Sequence, residues 1–139
     1  MTKIEVTRTL GEYGFEGTDA NGHKVLMDAA VEIGGQNAGI RPMQTLLMGL
    51  GGCSGVDIIS ILKKQRQQPS SFKMLIEAER EQGKEPSIWK HIKVVFQFTG
   101  AVDPEKAQKA CALSIDKYCS VAATLRAAGA TIEWTSKVI

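Results

Sequence analysis

Three cysteines are the residues in this chain best suited to covalent chemistry: Cys53, Cys111 and Cys119. Cys53 sits among small residues in Gly51-Gly52-Cys53-Ser54-Gly55. Small neighbours leave room above a thiol for a substrate or a second sulfur. If Cys111 and Cys119 share a helix, the eight residues between them span ~12 Å. A disulfide needs Cα atoms within ~7 Å. Cys53–Cys119 is therefore the pair worth considering. The competing reading is structural, because buried free cysteine is common in protein cores.

The thiolate is the reactive form. With a pKa near ~8.5, only ~3% of a thiol is ionised at pH 7. Lowering that pKa to ~6 requires ~3.4 kcal/mol of preferential thiolate stabilisation. A mid-helix thiol gains nothing from a helix N-terminus, and burial acts the other way. A nearby cation must supply the shift. The candidates are Arg8, which strand alternation aims at an apolar face, Arg41 just before the cysteine helix, and Arg126. Asp57, one turn after Cys53, discourages a thiolate by itself but helps if it holds an arginine. His23 follows a turn and His91 falls on the polar face of a strand, so both are expected in solvent. The spacing gives no metal site: no C-x-x-C occurs, and Cys111 and Cys119 have no short-spaced partner ligand.

The elements that must position these residues are legible in the pattern. Ile4, Val6 and Arg8 alternate with Lys3, Glu5 and Thr7, a period of two. The run resumes at Tyr13–Gly17, turns at Asp19-Ala20-Asn21-Gly22 and returns over Lys24–Asp28, giving a three-stranded antiparallel meander. Gly34–Gly39 reads as a flexible loop. Pro42 opens a helix running from about Met43 to about Gln67. Gly49, Gly51, Gly52 and Gly55 each cost up to ~1 kcal/mol in a helix interior. The expected compensation is close approach of another backbone. Phe72, Met74, Ile76 and Ala78 alternate with polar residues, as do Ile92, Val94, Phe96 and Phe98, so two further strands form a hairpin. Asp103-Pro104-Glu105 starts a helix reaching about Tyr118. Ser120 is placed to cap a short helix over 121–128, and 131–138 is a last strand.

This order predicts an α+β fold with antiparallel hairpins and helices gathered on one face. The 139 residues are read as a single domain, 1–139, large enough for a real core without disulfides or metal. A net charge of +2 without a basic patch gives no case for nucleic acid. Met1–Leu10 has no apolar signal region. Leu46–Leu62 is slightly short for a membrane span and carries Asp57 at its middle, so it reads as a core helix. Few cysteines and no signal point to reduced thiols and a cytoplasmic location. A domain of this size has little material to cover a helix that is apolar nearly all round, so a homodimer is expected to complete the burial.

Two segments carry a resemblance. Arg41-Pro42-Met43-Gln44-Thr45-Leu46-Leu47-Met48-Gly49-Leu50-Gly51-Gly52-Cys53 and Lys117-Tyr118-Cys119-Ser120-Val121-Ala122, with the element order, resemble the OsmC/Ohr family of osmotically inducible and organic hydroperoxide resistance proteins. The wording of both segments is nearest the YhfA-like branch. The resemblance implies an OsmC-like fold, with antiparallel sheets packed on a long central helix in an intertwined homodimer. It implies that Cys53 is the peroxidatic thiol and Cys119 the resolving one. The substrate would be a small hydrophobic hydroperoxide, and a dithiol reductant, lipoyl-linked in the hydroperoxide reductases, would reopen the disulfide. No cofactor or metal is implied. The chain departs from the peroxidases where they carry a Glu after the Pro; here Met43 and Gln44 stand. Asp57 is the candidate replacement, and Arg8 the nearest candidate for the activating arginine. Three functions therefore compete: a thiol peroxidase, a thiol-pocket protein binding an apolar or electrophilic ligand, and a structural dimer with inert cysteines.

Overall fold

The structure, a computed structural model describing residues 1–139, contains two three-stranded sheets and three α-helices in the order β1 (Ile4–Leu10), β2 (Gly14–Asp19), β3 (Lys24–Met27), α1 (Pro42–Lys64), β4 (Ser71–Arg80), β5 (Trp89–Thr99), α2 (Pro104–Leu113), α3 (Ser120–Ala127) and β6 (Thr131–Val138). The chain divides by its contacts into two compact units, Met1–Met48 and Gly49–Ile139, with α1 running from the first into the second.

In the first unit β1, β2 and β3 form the expected antiparallel meander. Asp19 shapes the β2–β3 turn by accepting from the Asn21 and His23 amides at 2.9 Å, and its other oxygen meets His23 Nδ1 at 2.8 Å. The ladder pairs Val6 with Gly17 and Arg8 with Phe15, so Ile4, Val6, Phe15 and Val25 line one face. That face is apolar, as the alternation predicts, and Ile4, Val6, Phe15 and Val25 on it are exposed. Every β1 residue is exposed, Arg8 included.

The segment read as a flexible loop is organised by a buried carboxylate. Asp28 is 2% exposed. One of its oxygens accepts from Ala29 N, and the other accepts from Gln36 N at 2.9 Å and Ala38 N at 3.2 Å. These bonds hold the Asp28 carboxyl below its ordinary pKa, with the Gln36 amide the largest cause. Gly35 is required here, since a Cβ would lie 1.9 Å from the Ala29 carbonyl oxygen. Arg41 closes the loop by donating to Gly39 O and Asn37 Oδ1. Its backbone N–H is capped by Gln44 Oε1 at 3.1 Å, the return arm of a capping box at the start of α1.

In the second unit α1 lies on the inner face of β4. A Cβ on Gly51 would stand 3.2 Å from Ile76 Cδ1, and one on Gly55 would stand 3.1 Å from Met74 Cε. The helix glycines thus accommodate side chains of β4, not the backbone that the sequence reading anticipates, and Gly52 has nothing within 4 Å. Leu50, Ile58 and Leu62 from α1 join Ile92, Val94, Phe96 and Phe98 from β5 in the core. Phe72 stacks on Phe98 with ring centroids 4.5 Å apart. The strand order is β4-β5-β6. The β4–β5 hairpin is antiparallel as expected, but β6 pairs with β5 in parallel. The reason is the connection: two helices intervene, and a long helical crossover returns the chain in the same direction.

Helix α1 is 23 residues long with a hydropathy of 1.7 in its most apolar window, and 28% of that window is buried. It has the length and composition to cross a membrane, where the sequence reading takes it as slightly short. Its use in the fold is one-sided. Leu50, Gly51, Ser54, Ile58 and Leu62 are buried, while Leu46, Met48 and Val56 are 45%, 64% and 69% exposed.

Candidate active site

The site is built at the meeting of α1 and the start of α3. Cys53 and Asp57 are four residues apart on α1 and so lie on one side of the helix. Cys119 precedes α3 as its N-cap, with extended backbone at φ −72°, ψ 108°. The two thiol sulfurs and an Asp57 carboxylate oxygen all lie within 4.8 Å of one another. Cys53 is half-buried and Cys119 is 3% exposed.

Cys119 is held by its surroundings. Between α2 and α3 the chain widens into a π-turn, Ser114–Tyr118, closed by Cys119 N donating to Ser114 O at 2.8 Å. Arg126 braces that turn from α3, donating to Ile115 O at 2.7 Å and pairing with Asp116 at 3.3 Å. The sequence reading assigns the cap of this helix to Ser120. The cap is Cys119 itself, whose sulfur accepts from Ala122 N at 3.4 Å. A thiol here takes the place usually filled by a hydroxyl or carboxylate.

Burial dominates the electrostatics of Cys119 and pushes its pKa up to about 11. The Ala122 N–H opposes that rise, and a hydrogen bond and charge interaction with Cys53 add to it. Cys111, on α2, is fully buried and is pushed up to about 12 by desolvation. It stands outside the Cys53, Asp57 and Cys119 cluster.

Asp57 holds no arginine here: it takes part in none of the four ion pairs. Its Oδ2 accepts instead from Ser114 Oγ at 3.1 Å. The same hydroxyl lies 3.3 Å from Ser54 O, so its single proton has two acceptors, the carboxylate being the nearer. Ser114 is fully buried and carries no motif; its position five residues before Cys119 is the only trace of it in the sequence. Of the three arginines considered as thiolate partners, Arg126 is committed to the π-turn and Arg41 to the loop before α1. Arg8 belongs to the first unit, where it is exposed, opposite Phe15 and without an ion pair. His91 is likewise exposed and meets Thr131 Oγ1 at 2.9 Å. The structure therefore gathers Cys53, Cys119 and Asp57 into one cluster and adds Ser114 to it.

The chain is 38% identical over 118 residues to Protein YhfA of Escherichia coli K12, with 82% of each covered. Its fold matches a hypothetical protein from Aquifex aeolicus VF5 at a TM-score of 0.82 and 29% identity, covering 100% of this chain and 98% of the other. An organic hydroperoxide resistance protein OsmC from Legionella pneumophila shares the fold at a TM-score of 0.68 and 17% identity, covering 99% and 96%. Residues 35–135, which contain Cys53, Asp57, Ser114 and Cys119, match the profile of the family described as OsmC-like protein, and the chain belongs to that family.

Proposed function

We propose that the chain is a thiol-dependent peroxidase acting on small hydrophobic organic hydroperoxides. The observation that carries this reading is the placement of Cys53 and Cys119 in one cluster with unequal exposure. The half-buried thiol is reachable by a substrate, while the buried one is kept for the second step. The Cys53 thiolate attacks the distal oxygen of the hydroperoxide. The O–O bond breaks, the alcohol leaves with a proton, and sulfur is oxidised to a sulfenic acid. The Cys119 thiolate then attacks that sulfur and water departs, leaving a Cys53–Cys119 disulfide. An external dithiol exchanges with the disulfide and restores both thiols. Hydroperoxide resistance proteins among the structural neighbours support the class of reaction through the fold.

In this reading Arg8 supplies the cation that favours the Cys53 thiolate. Asp57, fixed by Ser114, orders the polar side of the site. A homodimer in a reducing cytoplasm completes the molecule. The open apolar face of the β1–β3 sheet and the exposed Leu46, Met48 and Val56 on α1 support a second copy as their cover.

The test oxidises reduced protein with one equivalent of cumene hydroperoxide or of hydrogen peroxide, followed by thiol counts and peptide mapping. Loss of two thiols per chain as a Cys53–Cys119 disulfide, faster with the organic peroxide, is the expected result. Slow, unselective oxidation or a map without that disulfide overturns it and leaves ligand binding at the thiol pocket as the function to pursue.

A further inference from the structure

Two sulfurs and a carboxylate oxygen within 4.8 Å of one another are more than a disulfide pair requires. A redox couple uses the sulfurs alone. The Asp57 carboxylate adds a third donor on the same side, and its geometry is fixed by the Ser114 hydroxyl. We infer that the reduced Cys53, Asp57 and Cys119 cluster is a binding site for a zinc ion, with a fourth position left open to water or a small ligand.

The donor set fits. Zinc bonds to thiolate at ~2.3 Å and to carboxylate at ~2.0–2.2 Å in tetrahedral geometry, which places donor atoms roughly 3.5–3.8 Å apart and never beyond ~4.6 Å. A separation of 4.8 Å must close by about 1 Å to reach that range, a movement that rotation of the Cys53, Asp57 and Cys119 side chains provides. Two soft thiolates select zinc over magnesium or calcium. The Ser114–Asp57 bond is the outer contact that metal-bound carboxylates characteristically have. Binding releases one proton from each thiol protonated at the working pH and forms two S–Zn bonds and one O–Zn bond. No electron moves. The sequence hides this site, because its donors are split between α1 and the start of α3, and only Cys53 and Asp57 are close along the chain.

The inference goes beyond hydroperoxide turnover, and the two stand or fall separately. Zinc chloride is titrated into fully reduced, metal-free protein without peroxide, against a chromophoric chelator. Cobalt(II) serves as the spectroscopic substitute. One zinc per chain is expected, with a cobalt complex showing thiolate charge-transfer and tetrahedral d–d bands. Both are lost in Cys53→Ser and Cys119→Ser, retained in Cys111→Ala, and absent from the disulfide form. Ser114→Ala is expected to weaken zinc binding 10–100-fold, and thermal melts of the metal-free variants separate that loss from misfolding. Zinc that the chelator removes at stoichiometric concentration, a cobalt spectrum without thiolate bands, or binding that survives both cysteine substitutions overturns the proposal. Disulfide formation by cumene hydroperoxide is followed in metal-free protein, so peroxidase failure leaves the zinc result standing, and the reverse holds.

Discussion

The second step of the proposed cycle depends on a thiol whose surroundings resist ionisation, and this sets a steep pH dependence. With a pKa of about 11, Cys119 is about 10⁻⁴ thiolate at pH 7 and about 10⁻² at pH 9. Disulfide closure requires the thiolate, so its rate should rise about a hundredfold over those two pH units. Oxidation of Cys53 removes that group's charge and its hydrogen bond to Cys119, both of which raise the pKa. Burial, the largest cause, remains, because Cys119 is 3% exposed behind α1. Even if the pKa falls to about 10, closure still rises about tenfold per pH unit through this range. The perturbation is therefore pH alone. Reduced protein is mixed with one equivalent of cumene hydroperoxide, aged for set times and quenched with dimedone, and the Cys53 sulfenic acid is quantified by peptide mass spectrometry. The Cys119→Ser variant should accumulate the sulfenic acid at every pH. A closure rate that is flat between pH 7 and pH 9 would refute the argument, since it would mean that Cys119 is already ionised or is not the resolving group.

Cys111 gives a test of the same physics in stability. Its folded pKa lies near 12 against an ordinary value of 9.0, so the folded chain binds more protons than the unfolded one above pH 9. Stability should fall as pH rises from about 9 toward 12. By pH 10 this thiol has cost about 1.4 kcal/mol of the stability present below pH 9, and denaturant titrations should show a shallower alkaline decline for Cys111→Ala than for the parent. Asp28 acts with the opposite sign. Its lowered folded pKa contributes stability above the ordinary value of 3.8 that is lost as pH falls through the folded value. Hydrogen exchange at the Gln36 and Ala38 amides should therefore accelerate on acidification toward pH 3, and in Asp28→Asn at neutral pH, once each is corrected for intrinsic exchange. Val56 is 69% exposed on α1, so Val56→Asp should leave the melting of a lone chain within about 0.5 kcal/mol. If a second copy covers it, each valine contributes about 1.5–3 kcal/mol, and sedimentation equilibrium should show dimer association weakened by more than a hundredfold.

What the sequence made legible was whatever follows from local periodicity. Phe72, Met74, Ile76 and Ala78 facing inward from β4, and Ile92, Val94, Phe96 and Phe98 from β5, follow from period two alone. The long apolar helix was legible from its composition and from Pro42, and its end at Lys64 fell within three residues of the expected one. Separating Cys111 from Cys119 on distance left Cys53–Cys119 as the pair worth considering, and the structure brings those two thiols into one cluster. What depends on tertiary placement was not legible. The parallel β5–β6 pair follows from how a crossover packs, and the two strands read the same in either direction. Asp28 looked like a strand-end residue, although it organises the ten residues that follow it. Ser114 and the π-turn have no local signature, because a hydroxyl becomes part of a site only when another helix brings a carboxylate to it.

The cap at Cys119 connects these levels. A helix N-terminus ordinarily lowers a thiol pKa, and on that ground alone Cys119 would be the reactive cysteine of the pair. The Ala122 N–H does act in that direction, yet burial outweighs it. In the proposed cycle that sulfur turns from the Ala122 N–H to bond to Cys53, which would leave an eight-residue helix without its cap. Loss of a cap typically costs about 1 kcal/mol. On that reading the oxidised start of α3 is less firmly held than the reduced one, and the Arg126 bonds to Ile115 and Asp116 are left to brace the π-turn. Arg126→Ala should then slow reduction of the disulfide less than it slows its formation, because only formation needs Cys119 delivered to Cys53 from a defined turn.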